Sequence, residues 1–344
     1  MMYFSPSNKI KCGIIGYGKM GKIRHKAISL SNLAEVVMVY DIEADIPLPL
    51  KVESIDEIIN SKNIDAIFIC TPNNLISALC IKALDKNKHV FAEKPPGVSF
   101  NEVKEVMEFS NTKPNLRLMY GFNHRHHDSI KKIKEIIDSK ALGEVLWVRG
   151  RYGKEVEKSY FDGWRANIKK SGAGILIDQG IHIVDLLLYL VGNFDEIHSL
   201  ISNDFWKIDG LEDNVFSILR NNSTRISASI HSTMTQWRYI FSLEIFLEGG
   251  SLILNGLKTS SGAYGDEVLS IKTNKTHNIN GSFDTEENII YELDNSWNSE
   301  IEHFFNAIND GTNIEIGSPK DAIEIMDLLE RIYKADKSWN MQTL

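Results

Sequence analysis

Three cysteines in 344 residues are too few, and wrongly spaced, for a disulfide framework or a zinc site. Cys12 and Cys70 lie in apolar runs that read as buried strands, and Cys80 follows in a helical pattern, so reduced thiols are expected. A basic excess is also missing. There are 38 Lys and Arg against 46 Asp and Glu, a formal charge of −8, which argues against a general nucleic-acid-binding face. Pairs such as Lys131-Lys132 and Lys169-Lys170 read as solvated surface. No apolar run approaches the ~20 residues that span a bilayer. Residues 1–9 carry no long apolar core, so neither a membrane partner nor a secretory leader is expected. A cytoplasmic setting fits these absences. No metal site, internal repeat or low-complexity segment is visible. The hydrophobic share of 43% and the charged share of 24% are those of a folded chain, long enough for one large or two ordinary domains.

What is present is an alternation of short β-branched runs with helical patterns. Strands are expected at Cys12–Ile15, Val36–Tyr40, Ala66–Cys70, His89–Ala92 and Leu116–Tyr120. Helices are expected at Met20–Ser29, Ile55–Asn60, Ile76–Leu84 and Phe100–Phe109. Strands apolar on both faces and separated by helices form a doubly wound parallel sheet. After Arg125 the texture changes. A helix at Ser129–Ser139 and a strand at Val145–Arg149 precede a glycine-dense helix running from Gly172 through Val191. Two-residue periodicity follows at Val215–Arg220, Arg225–His231, Phe241–Leu247 and Ser251–Leu254, the mark of an open, largely antiparallel sheet. The polar stretch Lys272–Asn288 reads as a loop, and Glu300–Asn309 and Asp321–Lys337 as amphipathic helices. The expected division is therefore 8–125 and 126–344, with the last helices free to pack back on the first domain.

Gly16-Tyr17-Gly18-Lys19-Met20-Gly21 matches G-x-G-x-x-G between a strand and a helix. The first glycine makes the tight turn, the second admits a pyrophosphate, and the third lets helix and strand pack. The helix N-terminus supplies N–H groups to the phosphates. Asp41 ends the second strand about twenty residues beyond the last glycine, where a carboxylate accepts from ribose hydroxyls and repels a 2′-phosphate. NAD rather than NADP is expected on that ground; the alternative is that Asp41 caps a turn. Thr71-Pro72-Asn73 sits at the carboxyl edge of the third strand, as cofactor contact or as a plain turn.

Glu93-Lys94-Pro95 follows the fourth strand. A lysine there can polarise a substrate hydroxyl, with partial desolvation tuning it. Farther along, Asp178, His182 and Asp185 are spaced to share a helical stripe otherwise apolar. His182 reads either as a core histidine bonded to Asp185 or as a general base, positioned or tuned with Asp178.

The glycine fingerprint, the E-K-P tripeptide and the D-x-G-x-H-x-x-D segment from Asp178 to Asp185 together resemble the Gfo/Idh/MocA oxidoreductases, over nearly the whole chain. Phe304–Gly311 and Asp321–Lys334 are similar to that family's closing helices. The resemblance implies a Rossmann domain followed by an α/β domain whose open sheet makes the interface of a homodimer or homotetramer. It implies Lys94, Asp178 and His182 as the active-site set, Glu93 on the nicotinamide side with Lys94 also in contact with the cofactor, and Thr71, Pro72 and Asn73 lining it. Asn123, His124 and Arg125 resemble its polar stretch near the domain junction. Gly163-Trp164-Arg165 resembles members linked to sugar or sugar-nucleotide metabolism, so Asn123, Arg125, Trp164 and Arg165 join Lys94, Asp178 and His182 as expected substrate contacts. Tyr152 and Lys154 are weaker candidates. Two departures stand out: Ile76 where the family often has His, and Gly172-Ala173-Gly174 in place of a triple glycine. The implied reaction is hydride transfer between nicotinamide and a hydroxyl carbon of a sugar, sugar nucleotide or cyclitol. Its rivals are NAD-dependent redox-type glycoside hydrolysis and a non-enzymatic dinucleotide-sensing regulator.

Overall fold

The computed structural model describes residues 9–259, 261–274 and 286–339. The chain divides into two compact units. One holds the residues up to Asn123 together with Ser296–Ile323, and the other holds His124–Asn295 and the residues from Glu324.

In the first unit β1 (Ile10–Ile15), α1 (Lys19–Leu30), β2 (Ala34–Tyr40), α2 (Ile55–Asn60), β3 (Ala66–Ile69), α3 (Asn73–Asp85), β4 (His89–Ala92), α4 (Phe100–Asn111) and β5 (Leu118–Tyr120) follow one another. The five strands pair in parallel in the order β2-β1-β3-β4-β5. Every residue of β3 is buried, which is why its run is apolar without alternation. Ser54 and Ser99 start α2 and α4 by accepting from the amides of Glu57 and Glu102. The amphipathic helix Ser296–Asp310 belongs here because it buries Phe304 and Phe305 against the Phe68–Phe91 stack of the sheet. Arg24, fully buried, bridges Glu93 and Glu300. The chain order breaks between β1 and β3, and at such a break the carboxyl ends of an open α/β sheet receive ligands.

The second unit starts with α5 (Asp128–Asp138) and β6 (Val145–Glu155), then α6 (Ile168–Ser171) and α7 (Ile181–Val191). An eight-stranded sheet is completed by β7 (Glu196–Ser202), β8 (Asn214–Arg220), β9 (Ser227–Thr233), β10 (Thr235–Leu247), β11 (Gly250–Asn255), β12 (Glu267–Thr273) and β13 (Glu287–Tyr291). The β6–β9 pair is parallel and the other pairs are antiparallel.

Several local expectations change. β6 runs to Glu155, beyond Arg149, because β9 and β10 hydrogen-bond it on both sides straight through its glycines. The polar stretch read as a loop is partly strand: β12 extends through Thr273 and β13 starts at Glu287, while 275–285 lie outside the described residues. Ile168–Val191 is long and apolar enough by composition to cross a membrane, contrary to the expectation that no such run exists. Yet 72% of its most apolar window is buried, as the core helix of a folded unit would be. The three cysteines are free thiols.

Glu267, at the start of β12, shows how α5 is held. It accepts from His127 Nδ1 (3.0 Å), Ser129 Oγ (2.5 Å) and the Lys258 amide (2.9 Å) at 1% exposure. Burial alone would raise its carboxyl pKa, but His127, Ser129 and the amide carry it below the ordinary 4.5. The folded value is the lower one, so this stabilisation is present above 4.5 and is lost as pH falls through the folded value. The Tm difference between wild type and Glu267→Gln is therefore expected to shrink as melts are moved from about pH 6 to below 4.5. A difference that grows on acidification would contradict it.

Candidate active site

At the carboxyl edge of the parallel sheet, the loop after β1 meets the loop after β3. Gly16 has φ +91°, and a Cβ there would lie 2.5 Å from the Cys70 carbonyl oxygen. A Cβ on Gly21 would lie 2.1 Å from the Gly16 oxygen, so only glycine lets α1 start this close to the strand. Around the exposed Gly18 an added Cβ meets nothing within 4 Å, which leaves the backbone open where a diphosphate is expected. Lys19 is exposed and Met20 half-buried beside it.

Asp41 binds backbone. Its Oδ2 accepts from the Tyr17 amide (2.5 Å) and its Oδ1 from the amides of Glu43 and Ala44 (both 2.8 Å). Burial would raise its carboxyl pKa, but these amides and the Lys22 ammonium bring it below the ordinary value. The turn-capping role is thus real, and it fixes an anion beside the fingerprint loop. The Tyr17 hydroxyl shares a 2.6 Å hydrogen bond with His25 Nδ1, and burial lowers the His25 pKa. Thr71 and Pro72 are half-buried and Asn73 is buried at the start of α3. Ile76, where the family often has His, is wholly buried core.

Glu93 follows β4 as a buried side chain. Its carboxylate accepts from Arg24 Nε at 2.6 Å and is buried, so its immediate task is to hold Arg24. Lys94 comes next, half-buried, with a cis peptide bond to Pro95. Glycine turn, Asp41, Thr71 and Lys94 thus follow β1, β2, β3 and β4 at one edge.

In the second unit the expected helix from Gly172 is interrupted. Residues Leu176–Gly180 form a π-helical turn that leads into α7. The buried Glu212, unnoticed in the sequence, takes the Gly174 and Leu176 amides and the Tyr333 hydroxyl, each at 2.8 Å. The wider turn removes the regular i, i+4 relation assumed for Asp178 and His182.

Asp178 Oδ2 accepts from Lys154 Nζ (2.7 Å) and the Tyr160 hydroxyl (2.9 Å), and Oδ1 from Arg165 Nε (3.3 Å). The Arg165 guanidinium lies 4.4 Å from the Trp164 ring centre. Burial lowers the Lys154 pKa, with Asp178 opposing; burial and then Asp178 raise that of Tyr160. The structure therefore joins Trp164 and Arg165 to Asp178, and promotes Lys154 to a member of this cluster. A signal for it existed: Tyr152 and Lys154 are two apart on one strand and share a face.

His182 is buried, stacked on His124 with ring centres 3.7 Å apart and planes at 16°. His124 Nε2 and the Tyr152 hydroxyl are 3.2 Å apart. Gln179 Nε2 donates to the Tyr264 hydroxyl (2.9 Å). Two expected substrate contacts have partners within the protein. Arg125, 3% exposed, directs Nε and Nη2 at Asp185 Oδ1 (2.7 and 2.6 Å), because a buried charge needs a counter-ion. Asn123 Nδ2 donates to Ser296 Oγ (3.1 Å), the first residue of the helix that closes the first unit. Among the described residues no group of acidic, His and Cys side chains is arranged to hold a metal.

A profile of the oxidoreductase family's NAD-binding Rossmann fold matches residues 10–122, and the GFO/IDH/MocA C-terminal domain matches 130–253, together more than half of the chain. Myo-inositol 2-dehydrogenase of Thermotoga maritima is 26% identical over 274 residues, 75% of this chain and 79% of that protein. Glucose-6-phosphate 3-dehydrogenase of Bacillus subtilis is 31% identical over 191 residues, 52% of this chain and 53% of the relative. Among solved structures, a levoglucosan dehydrogenase in complex with NADH and levoglucosan superposes with a TM-score of 0.84 at 20% identity, over 95% of this chain and 97% of the other.

Proposed function

The chain belongs to the Gfo/Idh/MocA oxidoreductases and is an NAD(P)-dependent enzyme acting on CH–OH groups, and from that premise we propose that its substrate is a sugar, with NAD as the preferred cofactor. The observation that carries this reading is the single edge at which the glycine turn, Asp41, Thr71 and Lys94 follow four neighbouring parallel strands. The open backbone at Gly18 and the fixed anion at Asp41 fit a dinucleotide's diphosphate and ribose. When bound, the nicotinamide supplies the two-electron redox partner. The protein's own groups then handle the proton and the charge. Lys94 stabilises negative charge on the substrate oxygen and His182 exchanges the hydroxyl proton. Asp178, paired with Lys154 and Arg165, accepts a hydrogen bond from a hydroxyl of the sugar.

We also propose a cytoplasmic enzyme working as a homodimer or homotetramer. The free thiols support the first. An exposed apolar sheet face with Leu200, Phe216, Ile218 and the stacked Trp147–Phe246 pair supports the second.

The test is an assay with NAD or NADP over a panel of sugars and cyclitols, on wild type and Asp41→Ala. NAD is expected to be reduced, and Asp41→Ala to narrow the NAD-over-NADP preference at least about tenfold, since a hydrogen bond to a charged group contributes about 1.5–3 kcal/mol. Glycoside cleavage without net NADH would shift the account to redox-type hydrolysis. Dinucleotide binding with no turnover of any sugar would make it a sensor.

A further inference from the structure

The sheet register of the second unit breaks at one place that leads back to Asp178. On β10, Thr235 pairs with Glu155 and Ile240 with Gly153, so the four residues Gln236–Tyr239 stand opposite one residue of β6, Lys154. Such bulges re-aim side chains and recur beside functional sites. This one carries two aromatics, and each begins a path of ring contacts that returns to the π-helical turn.

From Trp237 the path runs to Phe205 (5.5 Å between ring centres), Trp206 (5.0 Å), Phe161 (4.9 Å) and Tyr160 (5.2 Å), whose hydroxyl donates to Asp178. From Tyr239 it runs to Tyr264 (5.1 Å), the acceptor from Gln179, and to Tyr152 (5.1 Å), which adjoins His124 and His182. The outer rings stay in solvent, Trp237 at 68% exposure and Phe205 at 53%. Phe205 and the Trp206 ring behind it are nevertheless held. Asp213 Oδ2 accepts from the amides of Phe205 and Trp206 (2.9 and 3.0 Å), and Trp206 Nε1 donates to the Met234 carbonyl (3.2 Å). A fixed aromatic surface that is wet at one end, and continuous with a charged cluster at the other, suits a ligand with two parts.

We propose that Trp237 and Phe205 form an outer subsite for a second ring joined to the sugar that reacts, so that the substrate is a glycoside or a nucleotide-linked sugar rather than a free monosaccharide. This rests on the sugar-oxidoreductase reading above. Both sources present a flat face to an aromatic ring: a pyranose its axial C–H groups, a nucleobase its π-face.

The test measures kcat/KM on the NAD-supplied enzyme for glucose, cellobiose and UDP-glucose, with the galactose and mannose equivalents, in wild type, Trp237→Ala and Trp237→Phe. A two-ring compound is expected to be the better substrate. Trp237→Ala is expected to reduce its kcat/KM about tenfold to a hundredfold, in line with the loss of one stacked ring. The one-ring sugars should be unaffected, and Trp237→Phe should retain most of the preference. Selective loss with the disaccharides identifies a glycosyl ring, and with the nucleoside diphosphate sugars a base. Equal effects of Trp237→Ala on one-ring and two-ring compounds, or none on either, overturn the proposal. So does a change confined to molar mass by light scattering, which would assign Trp237 to a contact between copies. Binding to the NADH-loaded enzyme, by calorimetry, separates the two readings. If two-ring probes bind no more tightly than glucose, the subsite is wrong; if no sugar is oxidised or reduced at all, the enzyme reading is.

Discussion

Changing Lys94 to methionine is expected to lower kcat by roughly 10²–10⁴-fold, the usual contribution of one acid–base or charge-stabilising group. Methionine keeps much of the aliphatic stem and removes the ammonium. Apart from Glu93 and Lys94 itself, the residues expected to hold the dinucleotide lie in other loops, at Gly16–Gly21, Asp41 and Thr71–Asn73. NADH affinity, followed by energy transfer from protein to nicotinamide fluorescence, should therefore be unchanged. Loss of binding together with turnover would make Lys94 a cofactor anchor. Full turnover would remove it from the mechanism.

Arg24→Met should be the most damaging single change to stability. Arg24 has no exposed surface, sits between Glu93 and Glu300, and stacks on Phe91 (4.4 Å) and Trp297 (4.8 Å). Burial by itself lowers its pKa, yet the two carboxylates carry it above the ordinary value, so it stays charged. Taking away the guanidinium leaves two anions facing each other in the core. Breaking a buried pair in this way costs about 3–5 kcal/mol, which corresponds to a fall in Tm of roughly 10 °C. Neutralising both carboxylates as well, in an Arg24→Met, Glu93→Gln, Glu300→Gln protein, should recover part of the loss. A single variant that melts with wild type would show that the triad is not held as described. Glu93 also ties this core to the lysine proposed for catalysis, because Lys94 follows it directly.

The amino-acid sequence by itself determined the elements whose code is short-range. Apolar runs in β1, β3 and β4, with G-x-G-x-x-G between β1 and α1, required a doubly wound sheet and located its ligand edge. Alternation in β8, β9 and β11 required the second, open sheet. Tertiary structure alone decided which distant groups meet. Asp178 and His182 read as helical neighbours, but Glu212, from a loop dozens of residues away, holds the Gly174 and Leu176 amides where the chain enters a π-turn, and Lys154, Tyr160 and Arg165 then claim Asp178. Polar side chains such as Arg125 and Asn123 carry no mark of their partner in the sequence; only folding revealed Asp185 and Ser296. The bulge opposite Lys154 was equally hidden, since register depends on two strands and periodicity on one. Local pattern encodes which face of an element is apolar. The pairing of buried charges and the offset between strands are set when the chain returns on itself.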